Sequence, residues 1–229
     1  MNQRCIVIPV YNNPETIDAV ARDALETGAY VIVVDDGSQP EVRLEVASDR
    51  LELLRHAANK GKGEAILSGG NRARAEGFAS FFVIDADGQH YPSEIERFAD
   101  ANLAECIVIG NRRFGENVPG SSVFGRKFSN FWVHLETGLR LDDTQSGFRS
   151  YPVGVLNLPL KKQHYDFEIE VLVRHVWGGG CVEEVDIDVY YPEPEERVSH
   201  FDKFKDNVRL SLLHASLVLR RWFRFWRDH

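Results

Sequence analysis

Apolar residues come in short runs through the first half of the chain, and the stretches between them carry apolar residues at helical spacing. Cys5–Val10, Tyr30–Val34, Leu51–Leu54, Phe81–Ile84 and Cys106–Ile109 read as buried strands. Between the first two, Glu15–Glu26 sets Ile17, Val20, Ala21 and Leu25 on one helical face and is stopped by Gly28. Glu41–Ala47 reads as a short helix, and Gly63–Glu76 as a longer one closed by Gly77. Strands alternating with helices predict an α/β fold: βαβ units forming a mostly parallel sheet covered on both faces. The second half is less regular. The pattern gives a loop over Asn111–Ser122, a helix over Arg126–Leu135, a polar turn over Asp142–Arg149 and a helix over Asp166–Val176. After a break at Gly178–Gly180 come a strand over Cys181–Tyr191 and a final helix over Asp202–Arg227. No linker or repeat interrupts the pattern, so we expect one Rossmann-like domain over residues 1–200 and a C-terminal amphipathic helix over 201–229.

Composition adds limits. A chain of 229 residues with 43% hydrophobic content supports a core of domain size. Three cysteines (Cys5, Cys106, Cys181) lie far apart in or beside apolar runs. That number and spacing predict reduced core thiols in the cytoplasm rather than a disulfide framework. The apolar stretch Cys5–Val10 is too short for a secretory leader and runs into a turn, so none is expected. There is no apolar run of about 18 residues that would span a membrane. Charge is uneven: residues 197–229 hold eight Lys/Arg against three Asp/Glu (+5), leaving 19 against 32 (−13) in the rest. An acidic body argues against nucleic acid as a ligand, and a basic tail points to an anionic surface.

Chemistry concentrates where strands end. The first ends in Pro9-Val10-Tyr11-Asn12, the second in Asp35-Asp36-Gly37-Ser38, the fourth in Asp85-Ala86-Asp87-Gly88-Gln89. In an open α/β sheet these ends line one crevice, where ligands bind. Two carboxylates on alternate residues there offer hard oxygens to a divalent cation, which can hold a diphosphate. A calcium loop over residues 85–96 is excluded: its sixth position is His90 where Gly is needed, and Pro92 interrupts it. A signalling receiver domain would carry its paired acids after the first strand of a much shorter chain. The eight histidines show no metal-ligand pairing.

These motifs, together with Asn59-Lys60-Gly61-Lys62-Gly63, resemble family 2 glycosyltransferases of the GT-A fold. Asp143-Thr144-Gln145-Ser146-Gly147-Phe148-Arg149 narrows the resemblance to the branch of dolichyl-phosphate mannose synthase and related polyprenyl-phosphate glycosyltransferases. The resemblance runs from residue 5 to about residue 205, and it implies a metal-dependent inverting transferase. Pro9, Tyr11, Asn12, Asp36 and Lys62 would hold a UDP- or GDP-sugar, with Asp85 and Ala86 against its ribose and diphosphate. Asp87 would ligate Mg²⁺ or Mn²⁺, assisted by Gln89 and Asp85. Arg112, Arg126, Ser129 and Asn130 would grip the acceptor phosphate, as would the segment with Arg197, Ser199 and His200. Asp87, Arg126 and Asp143 are thereby the residues expected to carry catalysis. Asp143 and Glu170 are candidate bases only for a hydroxyl acceptor, because a lipid phosphate already carries the attacking charge. For Arg113, surface charge is the expectation, and Glu168 is as readily a helix-surface charge.

The chain departs from that branch at two places. Asn13 stands where the branch often has Glu, and Arg197-Val198-Ser199-His200 replaces its usual Ser and Lys. The tail interleaves Leu212, Leu213, Leu217, Trp222, Phe223, Phe225 and Trp226 with Arg220, Arg221, Arg224 and Arg227. Such a helix lies in a membrane interface. Its first half, through Leu210, Leu213 and Leu217, is expected on the core, and the enzyme peripherally on the cytoplasmic membrane face. Transfer to a sugar or lipid hydroxyl is the closest rival, and a sugar-nucleotide sensor without catalysis the rival from another class. A nucleotidyltransferase would need a Gly- and Lys/Arg-rich loop where Tyr11-Asn12-Asn13-Pro14 stands.

Overall fold

Cys5–Val10 (β1) is buried along its whole length, and its side chains divide between two cores. Cys5 and Val7 face one, Ile6, Ile8 and Val10 the other. That is why the run is apolar throughout instead of alternating: both faces of the strand are covered. On the Val7 side pack Lys62–Ala75 (α2) and Phe167–Trp177 (α4); on the Ile6 side pack Ile17–Glu26 (α1) and the 3₁₀ helix Pro92–Phe98. The computed structural model describes residues 4–113, 120–161, 166–190, 211, 213–215 and 217–218.

The remaining strands among the described residues are Tyr30–Asp35 (β2), Leu51–Arg55 (β3), Ser80–Val83 (β4), Ile107–Arg112 (β5), Arg149–Pro152 (β6) and Val182–Ile187 (β7). They form one sheet in the order β3-β2-β1-β4-β6-β5-β7. All pairings are parallel except those of β6, which runs antiparallel to both β4 and β5. The chain leaves β1 toward β2 and β3, then returns through α2 to the other side of β1 at β4. The carboxyl ends of β1 and β4 therefore flank the point where strand order reverses, which is where such sheets bind ligands. Two glycines let α2 sit close to the sheet: a methyl at Gly69 would collide with Val7, and one at Gly70 would lie 2.6 Å from the Phe81 ring.

Several sequence expectations need correction. No helix forms over 41–47, because carboxylates claim its backbone donors: Val42 N–H donates to Asp35 (3.1 Å), and those of Glu45 and Val46 to Asp18 (2.7 and 2.9 Å). The Asn111–Ser122 loop is shorter than expected, since β5 continues through Arg112 and the next helix, Gly120–Thr137 (α3), starts early. The polar turn over 142–149 ends in β6, which carries no apolar run to announce it. The expectation of reduced thiols also fails for two of the three cysteines. Ile107 pairs with Val182 in the parallel β5–β7 ladder, setting the preceding Cys106 and Cys181 side by side, and they form a disulfide. Disulfides belong to oxidising compartments, so the cysteines no longer speak for the cytoplasm. Cys5 alone is free; burial, then Glu52 and Glu76, push its thiol up to about 12.

Leu213 and Leu217 are buried on the same core as Val133 of α3, as expected for the first half of the tail. His214 lies beside them, its Nδ1 2.8 Å from the buried Glu136 carboxylate and its ring stacked on Trp132. Arg197, Ser199, His200, Leu210, Leu212 and the Arg- and Trp-bearing end of the tail lie outside the described residues.

Candidate active site

At the β1 and β2 ends, Asp35 and Asp36 are both buried but do different work. Asp35 accepts the Ser38 and Val42 N–H groups and the Arg55 guanidinium, fixing the turn after β2. These donors outweigh burial and hold its carboxyl below the usual range. Asp36 accepts the Lys60 and Gly61 N–H groups (2.9 and 2.8 Å) and lies 2.6 Å from His56 Nδ1, whose other ring nitrogen meets Ser68. It thereby anchors the loop that leads into Lys62, the first residue of α2. Asn12, with φ at 49°, accepts from Gln39 N–H and donates its own N–H to Ser38, tying the β1 end to the β2 end. Asn13 donates to the Ala86 carbonyl, as does Thr16, tying it to the β4 end. Pro9 is buried in β1, and Tyr11 is exposed above it.

Past β4, Asp85 is gripped by the Lys62 ammonium at 2.5 Å. Burial opposes its charge, but Lys62, with further help from His90 and Arg112, holds its carboxyl below the usual range. No ion pair to Asp87 is seen among the described residues, though Lys62 lies near enough to favour its charge slightly. Burial first, and then the charge of Asp85, push its carboxyl up to about 6. It accepts the Gln89 N–H at 3.0 Å. His90 is buried on Phe148, and burial lowers its pKa to about 4, so it is neutral at pH 7. Its Nδ1 has no hydrogen-bond partner among the described residues.

The turn over 142–149 lies directly against this group: a methyl on Gly147 would collide with the Asp85 carboxylate. Arg149 holds the turn from beneath. Fully buried, it donates to the carbonyls of Ser146 (2.7 Å), Thr144 (2.7 Å) and Glu168 (2.9 Å). On the far side, Asp143 receives the Arg112 guanidinium through both carboxylate oxygens (2.7 and 2.9 Å). Arg126 from α3 donates to the carbonyls of Asp142 and Arg112 and to Asn111 Oδ1, and its Nη1 lies 3.8 Å from Asp143. Ser129 and Asn130 are tied to Thr144, and Asn130 also to Asp142. Carboxylates on one side and arginines on the other thus share one turn.

Residues 5–157 match the model of glycosyl transferase family 2. The chain belongs to that family. This glycosyltransferase is 28% identical to polyprenol monophosphomannose synthase of Mycolicibacterium smegmatis, over 80% of this chain and 75% of that one. It is 28% identical to undecaprenyl-phosphate mannosyltransferase of Micrococcus luteus, over 79% and 81%. Its fold is GT-A. Glucosyl-3-phosphoglycerate synthase from Mycobacterium tuberculosis, solved with Mn²⁺, UDP and phosphoglyceric acid, superposes with a TM-score of 0.66 at 16% identity, covering 96% of this chain and 78% of that one.

Within the glycosyltransferase, the structure gathers Lys62, Asp85, Ala86, Asp87 and Gln89 at the β4 end, and Arg112, Arg126, Ser129, Asn130 and Asp143 around the adjoining turn. Two of the weighed residues stand elsewhere. Glu170, a candidate base, binds Arg174 and the Lys161 N–H away from the turn. Arg113 pairs with Asp186 at the surface, as expected. Glu168, read as readily a surface charge, is instead buried with its Oε1 3.2 Å from Lys62. Its position in the first helical turn after an apolar Phe167 was the available signal, since helical periodicity puts residue 168 near the face that carries 171 and 172. Arg149 was visible only as the end of a polar motif, because a cation satisfied by main-chain carbonyls leaves no partner in the sequence.

Proposed function

We propose that this glycosyltransferase moves a sugar from a UDP- or GDP-sugar to a lipid-linked polyprenyl phosphate, inverting the anomeric centre in one displacement. The observation that carries this reading is the state of Asp143. Both its oxygens are committed to Arg112, so this candidate base is held in an ion pair beside a second guanidinium, that of Arg126. A phosphate acceptor needs no base, because its oxygen is already anionic near neutral pH. Arg112 and Arg126, through their forked donors, suit such a phosphate. The names of the polyprenol- and undecaprenyl-phosphate relatives support the same acceptor class.

On the donor side, Tyr11 and Asn12 would border the base, with Asp36 shaping the neighbouring loop, and Lys62 would meet the diphosphate. A divalent cation fits the β4 end. Asp87 is a carboxylate whose charge burial and Asp85 disfavour, and Gln89 can add an amide oxygen. Among the described residues, no group of three or more His, Cys, Asp or Glu gathers to hold a metal. A holder of two carboxylates suits Mg²⁺ or Mn²⁺, which keep waters and take substrate phosphate oxygens as further ligands. Bound there, the ion supplies charge neutralisation for the departing nucleoside diphosphate. The protein's own groups do the rest: Lys62 adds positive charge beside the leaving group, and the turn over 142–149 sets the acceptor phosphate against the sugar.

Arg126→Lys tests the division of the cleft. It keeps the charge and loses the fork, so the acceptor KM is expected to rise roughly 10-fold or more. Donor affinity, measured by calorimetry with the sugar nucleotide alone, is expected to stay within about twofold on the same scale. An equal loss of donor affinity would move Arg126 to the nucleotide site.

Association with the inner membrane face rests on the basic, aromatic tail. Among the described residues, no helix is long and apolar enough to cross a membrane. Removing residues 220–229 is expected to release the protein from anionic vesicles in co-sedimentation, since each arginine at such a surface contributes about 1 kcal/mol. Indifference of sedimentation to the truncation and to salt would assign the tail to another role.

A further inference from the structure

Lys62 stands between two carboxylates, and only one of them belongs to the β4 end. Its Nζ is 2.5 Å from Asp85 Oδ1 and 3.2 Å from Glu168 Oε1, and all three side chains are largely shielded from solvent. The second contact is an ion pair only. The 3.2 Å approach lies off the line a hydrogen bond needs, and Glu168 Oε1 is a buried atom with no hydrogen-bond partner among the described residues. An acceptor with unused capacity thus faces an ammonium with three donors. The approach of the two helices makes this possible. Gly63 follows Lys62 at the start of α2, and a methyl there would lie 2.6 Å from Cβ of Phe167, the residue before Glu168 in the first turn of α4. Carboxylates are favoured in that first turn by the helix dipole.

We propose that Glu168 is a positioning residue that acts through Lys62 to set the affinity of Asp85 and Asp87 for their divalent cation. The proposal rests on the assignment of those two aspartates as the cation's holders. A cation that engages Asp85 must compete with Lys62 for the same carboxylate. An ammonium drawn off Asp85 in a site with little water needs an anion within reach, because moving a buried charge away from its counter-charge is costly. Glu168 removes that conflict. A small tilt of the Lys62 side chain completes the Lys62–Glu168 hydrogen bond and frees Asp85 Oδ1, while the ammonium stays where a diphosphate would meet it.

The test is Mn²⁺ titration of the nucleotide-free protein, read by electron paramagnetic resonance of the free ion, in a double-mutant cycle. Glu168→Gln is expected to weaken Mn²⁺ about tenfold, and Lys62→Met to tighten it, because Asp85 loses its competitor. In the Lys62→Met background, Glu168→Gln is expected to change the Kd less than about threefold, since coupled residues depart from additivity. Glu168→Asp keeps the charge but withdraws the carboxylate by one methylene, and is expected to weaken Mn²⁺ nearly as much as Gln. It also serves if Glu168→Gln does not fold, which a melting curve reports. Equal effects of Glu168→Gln in both backgrounds would mean that its own charge acts and Lys62 does not, overturning the proposal. So would wild-type affinity in Glu168→Asp. Absence of Mn²⁺ binding by the wild-type protein would overturn the assignment of Asp85 and Asp87 together with the proposal, whereas tight binding indifferent to Glu168 would overturn the proposal alone.

Discussion

Replacing Asp87 with asparagine lowers the transfer rate by roughly 10²–10³-fold at saturating Mn²⁺, the scale for losing one preorganised electrostatic contributor. The fold is expected to survive. Asp87 lies at the cleft and accepts the Gln89 N–H, a bond that the amide oxygen of asparagine can also accept. The metal-free variant is expected to be more stable than the wild type at pH 7.5. Burial and Asp85 raise the Asp87 pKa to about 6, above its ordinary 3.8. The folded state therefore holds its proton more tightly than the unfolded chain, and stability present at low pH is lost as pH rises through about 6. Asparagine never ionises and escapes that loss, so the two proteins should converge in stability as pH falls toward 4. Urea titrations across this range check the sign. A variant that keeps near-wild-type turnover, or that is less stable at pH 7.5, would refute the place given to Asp87.

The second large effect is on stability. Arg149→Met is expected to cost roughly 3–5 kcal/mol, seen as a shift of the urea midpoint with unchanged slope. Methionine fills much of the volume but takes the Arg149 donors away from the buried carbonyls of Thr144 and Ser146, and from that of Glu168, which keeps its helical partner. Each buried acceptor so stranded costs about 1–3 kcal/mol, while relief of a buried charge offsets part of the sum. The Tyr151 hydroxyl, which burial pushes up to about 12, lies near this guanidinium as well. A loss under about 1 kcal/mol would mean that the turn over 142–149 is held by other contacts.

The sequence carried the proposed donor half of the site better than the proposed acceptor half, and the reason is physical. Strands β1, β2 and β4 are apolar on both faces, so their ends, and with them Tyr11, Asp36, Asp85 and Asp87, stand out by contrast. The acceptor half is built from polar main-chain contacts. Arg126, Ser129 and Asn130 meet carbonyls, N–H groups and Thr144, and β6 is a strand whose largest buried side chains are an arginine and a tyrosine. No hydrophobic period announces such a segment. The absence of a helix at 41–47 has the same origin, because Asp18 and Asp35 reach across from other elements to take donors that local propensity assigned to a helix. The disulfide followed from register: only the pairing of β5 with β7 brings Cys106 beside Cys181.

The antiparallel strand β6 has a consequence for how enzymes of this build can change their substrates. It pairs Val83 with Arg149 and Phe82 with Ser150, so the carboxylates that follow Val83 and the turn that precedes Arg149 leave the same end of one ladder. On the proposed reading, the separation between donor and acceptor is thereby a matter of registration, adjustable only in whole residues. A slip of one would turn Arg149 to the opposite face of the sheet and empty the turn of its support. The smallest slip that preserves its facing is two residues, a step of roughly 7 Å, longer than any bond-forming approach tolerates. New acceptors must therefore be accommodated by remodelling what the turn and α3 present, while the spacing itself stays fixed.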